Sequence, residues 1–376
     1  MNQVYNIAGN IVSPLGFTAA ENFEAVRAGR SGVMPQVGTF GIQEPFAASL
    51  VDRPKVFARA AENGYAGFIL FETLLLLSIG DAVRLAGLDV TSPRVAFVIS
   101  SIKGNVEALG TDESTVPLAV SAARVTSFFR NPNLPLVVSN ACISGLTALI
   151  HAWRMLLTED IDTVVVAGAE VQSRFIVSGF QSLKAVSPES CRPFDAARCG
   201  LNLGEAAATM ILSKADHCPA DKWALVSGAT RNDANHISGP SRTGEGSYKT
   251  LRYVLESCSP DELAFVNVHG TSTLYNDEME SIALQRAGLS DVPINALKGV
   301  FGHTMGAAGI LESLISMQAA DAGIVLPTRG FSALGVSCPV NVSAETRTTD
   351  KQAFIKLLSG FGGCNAALLF RKGGER

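Results

Sequence analysis

The chain has 376 residues, of which 47% are hydrophobic and 17% charged, and its formal net charge is −4. This length allows two domains or one large α/β unit with a substantial core, and the slightly acidic balance excludes the global basic field of a nucleic-acid-binding protein. The seven cysteines are scattered and include no C-x-x-C pair, so we expect neither a disulfide framework nor a metal site, and we expect a reducing cytoplasm as the location.

The sequence gives no sign of a membrane span or a secretion signal. The N-terminal residues lack the basic region and the uninterrupted apolar core of a signal peptide. The most apolar stretch, residues 66–83, is interrupted by Glu72 and Asp81 and is short for a bilayer span. We therefore expect a buried helix over this stretch and no association with a membrane.

Short β-branched runs alternate with longer segments of helical period along the chain. Because the runs are apolar almost throughout, they are typical of strands that are covered on both faces. This alternation predicts an α/β fold with mostly parallel strands, in two halves of comparable element order that divide near residue 215. The predicted strands are 94–100, 134–140, 162–170, 206–214, 223–232, 263–270, 354–360 and 366–372.

Cys142 lies in the stretch VVSNACISGLTALIHAW, residues 137–153, between an apolar run and a predicted helix. A helix N-terminus directs free N–H groups and a partial positive charge at the residues before it. Such a position stabilises a thiolate, which is the reactive form of cysteine. The local pattern thus favours a nucleophile, although a buried structural cysteine would also fit it.

Two of the five histidines lie in glycine-rich turns after predicted strands or before predicted helices. His269 belongs to VNVHGTSTLYND, and His303 to ALKGVFGHTMGAAGILE, with Lys298 before it and Glu312 after it. Because α/β sheets build their sites at the carboxyl ends of strands, both are candidate site residues. Two further loop histidines are interpreted as solvent-facing or locally hydrogen-bonded: His217 and His236.

Taken together, these segments resemble the elongating β-ketoacyl-acyl-carrier-protein synthases of the thiolase superfamily. The resemblance implies a thiolase-like α/β fold of two similar βαβ-rich halves, packed as a layered α-β-α-β-α unit. Residues 1–215 would carry the nucleophile, and residues 216–376 the two histidines. The motifs that carry the resemblance are NACISG, AGAE, CRPFDAARCGLNLGEAAATMIL, HGTSTLYNDEMES, GVFGHTMGAAGILE and GFGGCNAALLF.

The same resemblance implies an acyltransferase with a catalytic Cys142, His269 and His303. The expected reaction is a decarboxylative Claisen condensation of malonyl-acyl-carrier protein with an acyl chain on Cys142, in fatty-acid, polyene or polyketide biosynthesis. No metal or other cofactor is implied, because the phosphopantetheine of the acyl carrier protein carries the substrates. The implied partners are that carrier protein and a second subunit, either the same chain or a related ketosynthase-like chain.

Supporting residues follow from the matched motifs. The backbone N–H groups of Cys142 and Phe361 would bind the thioester oxygen, and the Phe361 ring would gate the acyl pocket. Lys298 and Glu312 match a charged pair, which either orients His303 or is a plain salt bridge. The hydroxyls that match the pantetheine contacts belong to Thr271 and Thr273.

The sequence departs from the family pattern in places that concern the substrate. The segment before Cys142 is shorter than usual, and Ser359 stands where a phenylalanine is usual. Two alternatives stay open: a thiolase-type acyltransferase, with Cys364 in its C-terminal glycine turn, or a chain-length-setting subunit without chemistry of its own. A short basic stretch is a candidate contact for an acidic carrier protein, with Arg53, Lys55 and Arg59.

Overall fold

The computed structural model describes residues 3–158, 160–216 and 219–373. His217 therefore lies outside the described residues. The strands are β1 (Gln3–Val12), β2 (Val33–Gln36), β3 (Phe46–Ser49), β4 (Val95–Ser100), β5 (Leu136–Val138), β6 (Thr163–Glu170), β7 (Leu203–Gly204), β8 (Ala206–Ala215), β9 (Trp223–Asn232), β10 (Phe265–Asn267), β11 (Pro293–Asn295), β12 (Ile324–Val325), β13 (Asn341–Val342), β14 (Arg347–Thr348), β15 (Ala353–Gly360) and β16 (Cys364–Lys372). The helices are α1 (Ala19–Arg27), α2 (Arg53–Glu62), α3 (Leu70–Ala86), α4 (Leu118–Phe128), α5 (Ser144–Thr158), α6 (Arg174–Ser182), α7 (Glu245–Leu255), α8 (Leu274–Arg286), α9 (Lys298–Phe301) and α10 (Ala308–Asp321).

One large sheet runs through both halves of the chain, in the order β13-β11-β10-β15-β16-β9-β1-β8-β6-β4-β5. When only the strands of this sheet are counted along the chain, β5-β4-β6-β8-β1 are the third, second, fourth, fifth and first strands of the first half. The second half repeats this order as β11-β10-β15-β16-β9, with β13 added at its edge. The two halves meet where β1 pairs with β9. The repeated strand order is an observation about the sheet, whereas the division of the chain into two domains at residue 215 stays a prediction.

The prediction of a mostly parallel sheet is wrong, because the sheet is mixed. Parallel pairs join β4 to β5 and β6, and β10 to β11 and β15. The strands β8 and β16 instead run antiparallel to both of their neighbours. Burial on both faces makes parallel and antiparallel strands equally apolar, so composition alone did not reveal their direction.

Helices cover both faces of each half of the sheet, which confirms the layered α-β-α-β-α arrangement. In β4, Val98 points to the core that contains α5 and α10, whereas Phe97 points to the core beneath α3. In β15, Phe354 points to the same α5–α10 core, and Ile355 points to the core beneath α7 and α8. Alternate residues of a strand face opposite sides of the sheet, so α5 and α10 form the central layer.

The apolar stretch at residues 66–83 falls largely within α3, a buried helix as predicted. Its Glu72 is buried and accepts hydrogen bonds from Ser121 and Arg124. Among the described residues, one segment has the length and hydropathy of a membrane span, Ala141–Thr158, but 61% of it is buried within the protein. This segment contains α5, and its position between the two halves of the sheet is that of a core helix.

Candidate active site

Cys142 lies in the tight turn between β5 and α5. The preceding residue, Ala141, has a φ of 45°, a left-handed conformation that non-glycine residues rarely adopt. The Ser144 hydroxyl accepts a hydrogen bond from the Asn140 N–H at 2.8 Å and donates to the Ala141 carbonyl at 2.6 Å. These contacts hold the strained turn, which costs on the order of 1–3 kcal/mol, and fix the cysteine at the start of the central helix.

Two imidazoles meet the cysteine at the wall of one cavity. The Cys142 sulfur, one ring nitrogen of His269 and one ring nitrogen of His303 lie within 4.8 Å of one another. The two rings are almost perpendicular, with an interplanar angle of 80° and centroids 5.1 Å apart. All three residues line a cavity of about 550 Å³. The structure thus brings together the three residues that the sequence singled out as catalytic.

Buried carboxylates of α8 hold the turn that carries His269. Glu280 accepts hydrogen bonds from the backbone N–H groups of His269 and Gly270, both at 2.7 Å. Asp277 accepts from the N–H of Thr271 at 3.0 Å and from that of Phe194 at 2.8 Å. Because these acceptors bind main-chain groups, they fix the path of the turn and leave the His269 ring directed to the cavity.

The hydrogen bonds of His303 identify which ring nitrogen carries its proton. The His303 Nδ1 accepts from the Met305 N–H at 3.3 Å, so in the neutral ring the proton lies on Nε2. Within the described residues, His303 Nε2 and His269 Nδ1 are buried and have no hydrogen-bond partner. Leaving a buried polar group unpaired costs about 1–3 kcal/mol. Unpaired buried groups of this kind are typical of a site that binds a ligand.

Lys298 and Glu312 form an ion pair, with Nζ and Oε1 2.8 Å apart, and both are buried. Among the described contacts, none joins this pair directly to His303 by a hydrogen bond. The second oxygen of Glu312 binds Lys356, which the sequence analysis missed. The sequence does contain a signal for this residue, because Lys356 is a lysine within an otherwise apolar predicted strand, FIKLLSG.

Burial favours the uncharged forms of the three candidate catalytic groups. Burial lowers the pKa of His269 and His303 well below its usual value, and the positive charge of Lys298 acts in the same direction. Burial also raises the pKa of the Cys142 thiol to about 12, and Lys298 and the Phe361 N–H oppose this shift only in part. Burial therefore works against the thiolate that the helix N-terminus is expected to stabilise.

The turn between β15 and β16 lies against the cysteine. The backbone N–H of Phe361 acts to lower the pKa of the Cys142 thiol, and the Phe361 ring stacks on Phe180 with centroids 5.7 Å apart. A Cβ on Gly360 would lie only 3.1 Å from the Cys142 nitrogen. Glycine therefore keeps the space beside this N–H open, while the oxyanion and gating roles of Phe361 stay predictions.

Hydroxyl groups and a third histidine also line the cavity. Thr271 and Thr273 share a hydrogen bond of 2.8 Å between their hydroxyl oxygens, and pantetheine binding by them stays a prediction. His236 accepts hydrogen bonds from the N–H groups of Ser238 and Gly239, as a locally bonded loop histidine would. The sequence analysis did not foresee that His236 lines the same cavity, because the chain positions are distant.

The basic stretch at the start of α2 is largely neutralised by neighbouring carboxylates. Arg53 lies 2.6 Å from Glu107, Lys55 lies 3.1 Å from Asp52, and Arg59 lies 3.6 Å from Glu62. This pairing weakens its candidacy as a contact for an acidic partner. Two other basic side chains line the cavity and form no ion pair in the described part of the chain: Lys184 and Arg198.

Models of one protein family match much of the chain. The model described as Beta-ketoacyl synthase, N-terminal domain, matches residues 74–217, and the model of its C-terminal domain matches residues 224–332. The 3-oxoacyl-[acyl-carrier-protein] synthase 2 of Coxiella burnetii is 27% identical over 404 aligned positions, which span 96% of each chain. The protein of the same name from Vibrio cholerae is 28% identical and covers 96% of this chain and 97% of its own.

Solved structures agree in fold over almost the full length. A β-ketoacyl synthase from Burkholderia phymatum superposes with a TM-score of 0.87 at 25% identity, covering 99% of this chain and 100% of its own. A ketosynthase from Xenorhabdus doucetiae, in complex with its chain length factor, gives a TM-score of 0.84 at 22% identity. The superposition covers 99% of this chain and 98% of the matched chain. A ketosynthase in complex with a type II polyketide acyl-carrier protein gives a TM-score of 0.84 at 20% identity. The superposition covers 98% of this chain and 99% of the matched chain.

Proposed function

Because the chain belongs to the β-ketoacyl synthase family of condensing acyltransferases, we propose that it extends an acyl chain held on Cys142. The extender would be a malonyl group on an acyl carrier protein, which loses CO2 as the new carbon–carbon bond forms. The observation that carries this proposal is the meeting of one thiol and two neutral imidazoles within 4.8 Å at a cavity wall. The pathway would be fatty-acid, polyene or polyketide biosynthesis.

The first step transfers the acyl group to the protein. The Cys142 sulfur attacks the carbonyl carbon of the acyl thioester, and the carbon–sulfur bond to the carrier's pantetheine breaks. The proton of the Cys142 thiol passes to the leaving pantetheine sulfur, with a neutral imidazole beside it able to accept and return the proton. The N–H groups of Cys142 and Phe361 face the developing oxyanion, where one preorganised donor contributes about 3–4 kcal/mol.

The second and third steps form the product. In the malonyl thioester, the bond to the carboxylate breaks, CO2 leaves and its electron pair forms an enolate. The Nε2–H of His303 is a free donor for the enolate oxygen, and the His269 ring lies beside it. The enolate carbon then attacks the thioester on Cys142, whose sulfur leaves and takes up one proton from solvent. The product is a 3-oxoacyl thioester on the carrier protein.

Partners of two kinds fit this proposal. An acidic carrier protein would meet Lys184 and Arg198 near the cavity and extend its pantetheine arm past Thr271 and Thr273. Ketosynthases of the same fold have been solved with an acyl-carrier protein or a chain length factor, which supports a second subunit here. We also propose the cytoplasm as the location, in keeping with the free thiols of the described cysteines.

The two alternatives are less well supported by the site. A thiolase-type reaction through Cys364 would need that sulfur in the cavity, but it donates to the carbonyls of Phe361 and Asn140 and is absent from the described lining. A chain-length-setting subunit needs no nucleophile, whereas this site retains Cys142 with both histidines. We therefore expect catalysis by this chain.

Mass spectrometry of the purified protein tests the proposal. After incubation with acyl-carrier proteins of graded chain length, we expect one acyl group on the Cys142 peptide, and after malonyl-carrier protein is added, a 3-oxoacyl product that has lost CO2. The variant Cys142→Ala should form neither species. Cys199→Ala is the matched control, because Cys199 lines the same cavity, and it should be acylated normally. Acylation of a different cysteine would overturn the assignment.

A further inference from the structure

Lys356 is a buried lysine that does not belong to the described cavity lining. It connects the Lys298–Glu312 ion pair to the end of β10, the strand that precedes His269. The Lys356 ammonium binds Glu312 and donates to the Asn267 side-chain oxygen at 2.6 Å and to the Val268 carbonyl at 3.3 Å. Lys356 is completely buried and lies on β15, the direct neighbour of β10 in the sheet. Its contacts therefore fix the main chain immediately before His269.

Glu312 connects this lysine to the segment of the other histidine. One Glu312 oxygen binds Lys356, and the other binds Lys298, five residues before His303. Two lysines thus share a single carboxylate, which leaves one positive charge uncompensated within this group of three side chains, and the carboxylate of Glu280 acts on Lys356 more weakly than Glu312 does. A charge in such a medium acts on nearby groups much more strongly than it would in water.

We propose that Lys356 is a positioning residue for the condensation: it fixes the strand end before His269 and supplies the uncompensated positive charge that acts on both imidazoles and on the enolate. This inference rests on the proposed function, because it concerns the decarboxylation step at the same site. It adds a residue that neither touches the substrate nor lines the cavity within the described residues.

The charged groups around Lys356 determine how this effect depends on pH. Burial lowers the pKa of Lys356 to about 8, while the Glu312 carboxylate, and more weakly Glu280 on α8, oppose the shift and Lys298 adds to it. The positive charge is therefore present at neutral pH and is lost as the pH rises through about 8. Decarboxylation by the native protein should decline over that same range.

The positive charge of Lys356 also affects activity at low pH, because it lowers the pKa of the two imidazoles. Besides burial, the positive charges of Lys298 and Lys356 lower the pKa of both imidazoles, and that of His269 is lowered further by His303. Neutral imidazoles thus persist to lower pH than they otherwise would. Removing Lys356 should raise the pKa of both rings, so the acid limb of the activity profile should move to higher pH.

The test compares Lys356→Gln and Lys356→Met with native protein, using decarboxylation of malonyl-acyl-carrier protein measured between pH 5 and pH 10. Gln retains an amide donor for Asn267 but no charge, and Met retains neither. At pH 7 we expect both variants to decarboxylate about tenfold more slowly, with the acid limb moved upward by roughly one pH unit and the decline near pH 8 absent. Lys351→Met, an exposed lysine just before the same strand, should behave as native protein.

The outcomes separate this inference from the proposed function. Native protein that fails to decarboxylate malonyl-acyl-carrier protein would refute the function itself. Active native protein together with a folded Lys356→Gln variant of unchanged pH profile would overturn only the role of Lys356, because a purely structural lysine changes stability and not the profile. Thermal melting identifies which variants fold, and if Lys356→Met does not, the Gln variant decides the question.

Discussion

Cys142, His269 and His303 meet where burial opposes every charged form. Both imidazoles are neutral, and the thiol, with a pKa near 12, keeps its proton. A site of this kind has its hydrogen-bond donors in place before any negative charge develops on the substrate. Electrostatic catalysis depends on such preorganised donors, because they need no reorganisation when the charge appears.

The two histidines should matter more for decarboxylation than for acyl transfer. We expect His303→Ala to slow release of CO2 from malonyl-acyl-carrier protein by about 10²–10³-fold, because it removes the Nε2–H donor beside the enolate oxygen. Acylation of Cys142 should fall by less than about tenfold, since backbone N–H groups serve that step. Release of CO2 and the mass of the acyl-enzyme measure the two steps separately.

A matched control lies in the same cavity. His236→Ala removes an imidazole that lines the cavity but is bonded to its own loop, so both steps should stay near the native rate. If His303→Ala reduced acylation and decarboxylation equally, the donor role assigned to the Nε2–H would be wrong. An equal loss of decarboxylation in His236→Ala would show that the effect is not specific to the Nε2–H of His303.

At the scale of elements, the site is assembled from turns that leave the sheet at strand ends. Cys142 follows β5, His269 follows β10, and Phe361 lies between β15 and β16. Two of these turns are held by contacts to their backbone: Ser144 caps the first, and the carboxylates of α8 bind the second. The Cys142 sulfur and the His269 ring are thereby left free to face the cavity.

Gly360 offers a test of how closely the last of these turns packs on the nucleophile. A Cβ there would lie 2.8 Å from the Cys364 sulfur and 3.1 Å from the Cys142 nitrogen. Gly360→Ala should therefore displace the turn, lower the free energy of unfolding by about 1–3 kcal/mol and slow acylation of Cys142. Chemical denaturation and acyl-enzyme mass spectrometry measure the two effects.

The control for this substitution is Gly179→Ala in α6, where a Cβ would meet no atom within 4 Å. Alanine favours a helix over glycine by up to about 1 kcal/mol, so stability should be equal or higher and acylation unchanged. A Gly360→Ala variant that acylated at the native rate would mean that the turn can move without disturbing the space beside the Cys142 N–H.

The sequence predicted which residues lie together at the cavity better than it predicted the layout of the sheet. Apolar runs placed β6 and β9 within a residue or two of their observed bounds, because burial on both faces leaves a strong signal. The run 263–270 extends beyond β10, since His269 and Gly270 leave the sheet to form the turn that α8 holds. The lysine within the apolar strand was visible as a signal, but its role was missed because its partner Glu312 is 44 residues away along the chain, and one sequence does not show such a pairing.

At the scale of the molecule, the site requires both halves of the chain. The first half supplies Cys142 at the start of α5, and the second supplies His269 and His303, the latter just before α10. The helices α5 and α10 pack against each other in the central layer, so the seam between the halves carries the nucleophile and its donors together. Any shift of one half against the other would separate the thiol from the imidazoles.

We expect the protein to form a dimer, with itself or with a related subunit, through the edge of the sheet at β5. This strand ends the sheet order, and an edge strand presents unpaired N–H and carbonyl groups that a second chain can bind. Apolar side chains accompany it, with Leu134 90% exposed and Leu136 40% exposed, and a packed interface would bury them. Cys142 follows β5 directly, so such an interface would also support the turn that holds the nucleophile.

Light scattering of the purified chain, alone and co-expressed with a candidate second subunit, measures this assembly. We expect twice the mass of one chain, or the mass of a heterodimer, and Leu136→Lys should yield the monomer because it places a charge in the buried interface. Ile237→Lys is the matched control: Ile237 is 78% exposed in the second half of the chain, so its dimer should persist. A native chain that is monomeric under both conditions and still condenses acyl and malonyl groups would show that the turn at Cys142 is stable without a partner against β5.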